Sequence, residues 1–251
     1  MTAFSLTELA ILTLAGFAAG VLNAVAGGGT FLSLPALIYV GVPPVAANAT
    51  ATLSALPGYL SGAWGFRHDI RDEGVLDLRT IAGIAAVGGL TGSGLLIVTS
   101  EAAFLWIVPW LLTLATTLFA CGPAIQRRLR GGGELGPVSG GAVVLAVSVY
   151  GGYFNGGLGI MLLAAFGLLG FRNLHGMNGL KTALSALLSL VSAVTFISAG
   201  LIAWEQAAIM ALSTAVGGYV GARSSRHLPV PLLRVGVICV GAVTALVFFA
   251  R

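Results

Sequence analysis

GFAAGVLNAVAGGGTFLSLPALIYVGVPPVAANATATLSAL, residues 16–56, decides how the rest of the chain is read, because most of it returns once. The echo, GYFNGGLGIMLLAAFGLLGFRNLHGMNGLKTALSAL, occupies residues 152–187. Each copy holds an Asn (Asn23, Asn155), a glycine cluster (Gly27, Gly28 and Gly29; Gly156, Gly157 and Gly159) and a short apolar run. A polar break, a second Asn (Asn48, Asn178) and a Thr four residues further on (Thr52, Thr182) follow in both. The same features in the same order mark an internal duplication.

Composition sets the solvent. Hydrophobic residues make up 57% of the chain and charged residues 8%, where a soluble domain has roughly a quarter charged. An all-α integral membrane protein is expected. The 37 glycines suit packed transmembrane helices, whose backbones approach closely over small residues. A net charge of +4 is compatible with a nucleic-acid partner, but the basic residues sit at the ends of apolar runs, as membrane orientation requires. No nucleic-acid partner is therefore expected. Cys121 and Cys239 offer neither a disulfide framework nor metal-ligand spacing. The opening MTAFSLTELAILTLAGF has Glu8 and no Lys or Arg, so it lacks the basic n-region of a cleavable signal.

A helix needs roughly 20 residues to cross a bilayer, with about 17 as a floor. Six apolar segments clear it: 44–66, 80–98, 102–122, 176–200, 206–222 and 231–250. The short runs 30–41 and 159–171, each behind a glycine cluster, do not. They are expected to pair with the segments before them as hairpins, 8–41 and 138–171, that bend within the membrane. Irregular backbone at that depth survives only where protein or a water-filled cavity satisfies it.

The arginines give the orientation. Arg67, Arg71 and Arg79, then Arg127, Arg128 and Arg130, then Arg223, Arg226 and Arg234 form three basic groups. All three can face the cytoplasm only if segments 138–171 enter and leave on one side. The first half (1–126) then begins outside and the second (138–251) inside, joined by a basic cytoplasmic linker, 127–137. The expected architecture is an inverted repeat of two five-element halves, each a Gly-broken hairpin plus three transmembrane helices. Secondary transporters have this plan, with the site near the midplane where broken helices meet.

The paired hairpins, the Asn-x-x-Lys helix start at Asn178 and the length together resemble the sulfite exporter family often called TauE/SafE, over nearly the whole chain. The resemblance implies a multi-pass transporter of a bacterial-type inner membrane that moves small anions such as sulfite, sulfonates or related organic acids outward. A Lys can stand in both repeats of that family. Here only Lys181 is present, and three residues after Asn48 stands Ala51.

The site can also be read from the residues. Both glycine clusters uncover backbone N–H groups, and a short helix starts after each, with Thr30 as candidate N-cap of the first. A helix N-terminus carries about half a positive charge and unpaired donors, so two aimed at one cavity can hold an oxyanion. The competing reading is tight turns and close packing. Asn23, Asn48, Asn155 and Asn178 are either site-lining groups or interhelical glue. Thr52 and Thr182 can line the site or bond their own helix carbonyls. Lys181 is the one charge inside an apolar span; it either snorkels to the interface or anchors the anion. No acid lies within a span, so His175 is the candidate for proton coupling. GMNGLKT lacks phosphate-loop spacing, and no Ser, His and acid set or metal motif accompanies it, so neither an enzyme nor a cofactor is expected. An anion channel, and more distantly an intramembrane enzyme, are the alternatives. The composition is equally compatible with a homodimer.

Overall fold

The computed structural model describes residues 4–25, 27–67, 70–71, 73–129, 135–224 and 230–249; of residues 119, 123, 125–129, 174–175, 230–234 and 237 it describes the backbone alone. The described residues form helices and no strand: α1 (Leu6–Val25), α2 (Thr30–Tyr39), α3 (Pro44–Phe66), α4 (Leu78–Val98), α5 (Glu101–Leu129), α6 (Pro137–Tyr153), α7 (Leu158–Leu168), α8 (Leu174–Ser198), α9 (Trp204–Ser224) and α10 (Val230–Phe249). Among the described residues, four stretches are long and apolar enough to cross a membrane: Leu6–Val25, Leu78–Val98, Glu101–Gly122 and Gly176–Ser198. The first is the leading leg of a hairpin. It reaches crossing length by itself, whereas α6 stops at Tyr153, five residues before the expected end of its segment. α3 and α9 have 23 and 21 residues but dilute their apolar positions with Asn, Ser, Thr and Gly.

Glycine sets the packing. α1 lies along α9, with Gly16 against Met210 and Ser213, Gly20 against Thr214 and Gly218, and Gly221 against Val21 and Ala24. Positions rise together on both helices, so the two run parallel. α6 lies along α4 in the same way: Gly88 meets Leu145 and Ser148, Gly92 meets Val149 and Tyr153, and Gly152 meets Gly89. In lipid, where apolar burial gives no drive to associate, such backbone-to-backbone approach supplies the dispersion contacts that hold helices together.

α3 and α8 lie between these pairs. α3 runs parallel to α9: the Thr50 hydroxyl accepts from Ala203 N at 3.0 Å, the Thr214 hydroxyl donates to the Ser54 carbonyl and Gly58 meets Thr214 and Gly218. α8 runs antiparallel to α3, with Gly62 against Thr182 and Gly179 against Phe66. The second hairpin closes at its base, where Leu135 N donates to the Leu168 carbonyl at 2.9 Å and Gly140 sits under Leu169. α5 pairs with α10, which also touches α2. Two large apolar cores result, with a small cluster of Ala55, Tyr59 and Ala186 beside them. One gathers Leu12, Phe31, Leu34, Leu37, Phe104 and Phe196; the other gathers Ile81, Leu158, Leu162, Phe166 and Leu184.

Neighbouring glycines of α4 test this account. A Cβ on Gly92 would run into the backbone of Val149 and Tyr153, whereas one on Gly94 would meet nothing within 4 Å. Gly92→Ala is expected to lower folded yield and the melting midpoint in detergent, by the roughly 1–3 kcal/mol of an overpacked contact. Gly94→Ala should be neutral or stabilise by up to about 1 kcal/mol, read as an unchanged or higher midpoint. Thermal melts of the two purified variants check both.

Candidate functional site

The first break opens after α1. Gly27 (φ +71°) and Gly28 (φ +125°) turn the chain through conformations that side chains resist, and Gly27 N closes back on the Leu22 carbonyl at 2.7 Å. Gly29 is the N-cap of α2, and no side chain of its own caps the helix. The expected capping role of Thr30 is thus corrected. Asn23, reaching over from α1, does that work: its Oδ1 accepts from Gly29 N at 2.8 Å. The Tyr59 hydroxyl, from α3, donates to the same oxygen at 3.3 Å.

The second break is built from different parts. Asn155 takes a left-handed conformation (φ +57°), as does Gly157 (φ +73°), the N-cap of α7. The Tyr150 hydroxyl donates to the Gly156 carbonyl at 2.6 Å. The Asn155 Nδ2 donates to the Ser189 hydroxyl of α8 at 3.4 Å, and the Asn155 amide also lies beside the Tyr59 hydroxyl. Asn23, Tyr59, Asn155 and Ser189 thus form one polar row through an otherwise apolar interior, and every member is buried.

The two breaks touch. A Cβ on Gly27 would stand 3.1 Å from the Gly159 Cα, and one on Gly159 3.2 Å from the Gly27 Cα. A side chain at either position would press against the other break's backbone. Lys181 closes the third side, its Cδ lying 3.3 Å from that same Gly159 position. Its ammonium donates to Asn178 Oδ1 at 3.3 Å, meets no carboxylate among the described residues, and the side chain is only 2% exposed. A charge held this way does not reach the interface by snorkelling.

Not every candidate joins this meeting point. Gly156 packs against the Phe154 ring, Gly157 against Ala115 of α5, and Gly29 against Ala19 and Asn23. The Thr52 and Thr182 hydroxyls donate to the carbonyls of Asn48 and Asn178, at 3.0 Å and 2.8 Å. Both are spent within their own helices. Asn48 Nδ2 donates to the Tyr153 carbonyl at 2.8 Å, just ahead of the second break. The side chain of His175 lies outside the described residues. Tyr59 and Ser189 were not among the sequence candidates. The available signal was the polar spacing on α3, where Tyr59 stands seven residues after Thr52 and so on the same face.

Known proteins similar to this chain are membrane transporters by name. The chain is 31% identical to a probable membrane transporter protein of Haemophilus influenzae over 86% of its length and 84% of the relative's. It is 28% identical to the probable membrane transporter protein ORF9 of a Sinorhizobium species, covering 86% and 82% of the two chains. With the probable membrane transporter protein YfcA of Escherichia coli K12 it shares 27% identity over 94% and 87%. No solved structure matches it. The model of the sulfite exporter TauE/SafE family matches residues 12–248, and the chain, a multi-pass membrane transporter, belongs to that family.

Proposed function

We propose that the chain is a secondary transporter that exports small anions such as sulfite, organosulfonates or related organic acids across an inner membrane. It works by alternating access around a midplane site between the two hairpins. Its halves, 1–126 and 138–251, are copies of opposite orientation joined by the 127–137 linker. Three observations support the inversion. Gly217 and Gly221 of α9 meet Phe17 and Val21 of α1 as Gly88 and Gly92 of α4 meet Val149 and Tyr153 of α6. Asn23 pairs with Tyr59 as Asn155 pairs with Ser189. The Arg67 end of α3 and the Arg223 end of α9 lie at the same end of parallel helices, as the cytoplasmic placement of basic loops requires.

Lys181 carries the proposal. A buried ammonium without a counter-charge is costly, and a small anion at the crossing of the breaks supplies that charge. The starts of α2 and α7 add their positive ends. Side chains are absent from Gly27 and Gly159, so a ligand can approach backbone there once the hairpins part. Movement outward follows from a negative cell interior, which expels anions at about 2.3 kcal/mol per charge per 100 mV.

Flux of sulfite, thiosulfate, sulfoacetate and carboxylic acids from proteoliposomes is the test. At least one should show saturable, counterflow-competent transport; linear flux without counterflow would mark a channel. Lys181→Ala is expected to weaken apparent affinity roughly 10- to 100-fold, the scale of a lost hydrogen bond to a charged group, with Lys181→Arg intermediate. Unchanged flux in an inserted Lys181→Ala protein refutes the site. Tyr59→Phe removes the hydroxyl shared by Asn23 and Asn155 and should cost about 1 kcal/mol of stability, read as a lower melting midpoint in detergent.

A further inference from the structure

The two halves differ at one buried position. In the second, Asn178 Oδ1 accepts from the Lys181 ammonium. In the first, Asn48 holds the corresponding place, but the residue three positions on is Ala51, 1% exposed and without a charge. Asn48 is fully buried. Its Nδ2 is engaged by the Tyr153 carbonyl, and its Oδ1 has no hydrogen-bond partner among the described residues. Two residues beyond Tyr153, Asn155 is in the same condition: 3% exposed, its Nδ2 directed to Ser189 and its Oδ1 unpartnered. Two bare amide oxygens therefore flank the end of α6, where the backbone unwinds.

We infer that Asn48 Oδ1 and Asn155 Oδ1 are ligands of a small inorganic monovalent cation, sodium above all, which occupies the place in the first half that the Lys181 ammonium occupies in the second. The inference rests on the inverted repeat and transport proposed above. An amide oxygen can only accept, so a buried one needs a donor or a cation, and leaving it bare costs free energy. Hard cations favour oxygen ligands, and in secondary transporters unwound backbone carbonyls and half-helix ends coordinate sodium. Alternating access gives the argument its second leg. In an inverted repeat the two access states exchange the roles of the halves, so an anion held by Lys181 in one state needs positive charge from the other half in the next. Ala51 cannot provide it, and a bound ion can. The bound ion then offsets the anion's charge within the low-dielectric core.

The full-length chain in detergent, and in proteoliposomes, tests this with chloride salts of sodium, potassium and choline at equal ionic strength. Sodium should raise the melting midpoint over choline, as a ligand of the folded state does, and speed anion flux roughly tenfold, within the usual range of coupling between two sites. Asn48→Ala should lose both effects. Ala51→Lys, which tethers a cation at the same place, should transport without regard to the salt. Equal stability and equal flux of the wild-type protein in all three salts would overturn the inference, whatever the variants do. Sodium stabilisation without transport of any anion would leave the cation site standing and sink the transport proposal; robust but salt-indifferent flux would do the reverse.

Discussion

A backbone that leaves its helix inside a bilayer must find other partners for its amides and carbonyls, because lipid offers none. This chain leaves its helix twice, and the two openings lie against each other. That contact organises the interior. Gly27 and Gly159 meet backbone to backbone, Asn23 returns a cap to Gly29, Tyr150 secures the Gly156 carbonyl, and Tyr59 stands between Asn23 and Asn155. Each opening is stabilised partly by the other half, so neither hairpin is a finished structure alone.

The rest of the bundle serves that junction. α1 against α9 and α6 against α4 are close glycine-lined pairs running in parallel, and α3 and α8 pass between them in opposite directions. Polar side chains at the α3 to α9 seam engage backbone across helices, as Thr50 does at Ala203 and Thr214 at Ser54. These bonds tie helix to helix and leave the seam without spare donors. Unpartnered buried oxygens occur elsewhere among the described residues, Asn48 Oδ1 and Asn155 Oδ1 among them.

Which parts were legible in the sequence follows from the range of the interactions. A glycine cluster acts on the residues beside it, so helix breaks near Gly27 and Gly157 could be read directly. The apolar runs around them set the helices to within a few residues, except that α6 ends early at Tyr153 and α5 runs on to Leu129, past the expected end at 122 and into the expected linker 127–137. The fate of each polar group depends on chain brought in from elsewhere. Thr30 has the chemistry of a cap, but Asn23 reaches the free amide first because the tight turn folds α1 over the start of α2. Thr52 and Thr182 sit where a helix carbonyl four residues back is always within reach. Tyr59 is 36 residues from Asn23 in sequence, and nothing local to it announces that contact. Lys181 was conspicuous for its charge, while its fit against Gly159 appears only when the halves are assembled.

The pairing of α1 with α9 bears on how the chain is made. The glycine face of α1 belongs to α9, which is synthesised only after the seven helices between them. Until then Gly16 and Gly20 lack the helix they pack against, and the tip at Gly27 awaits Gly159. The α1 surface is therefore completed by a segment added much later than itself.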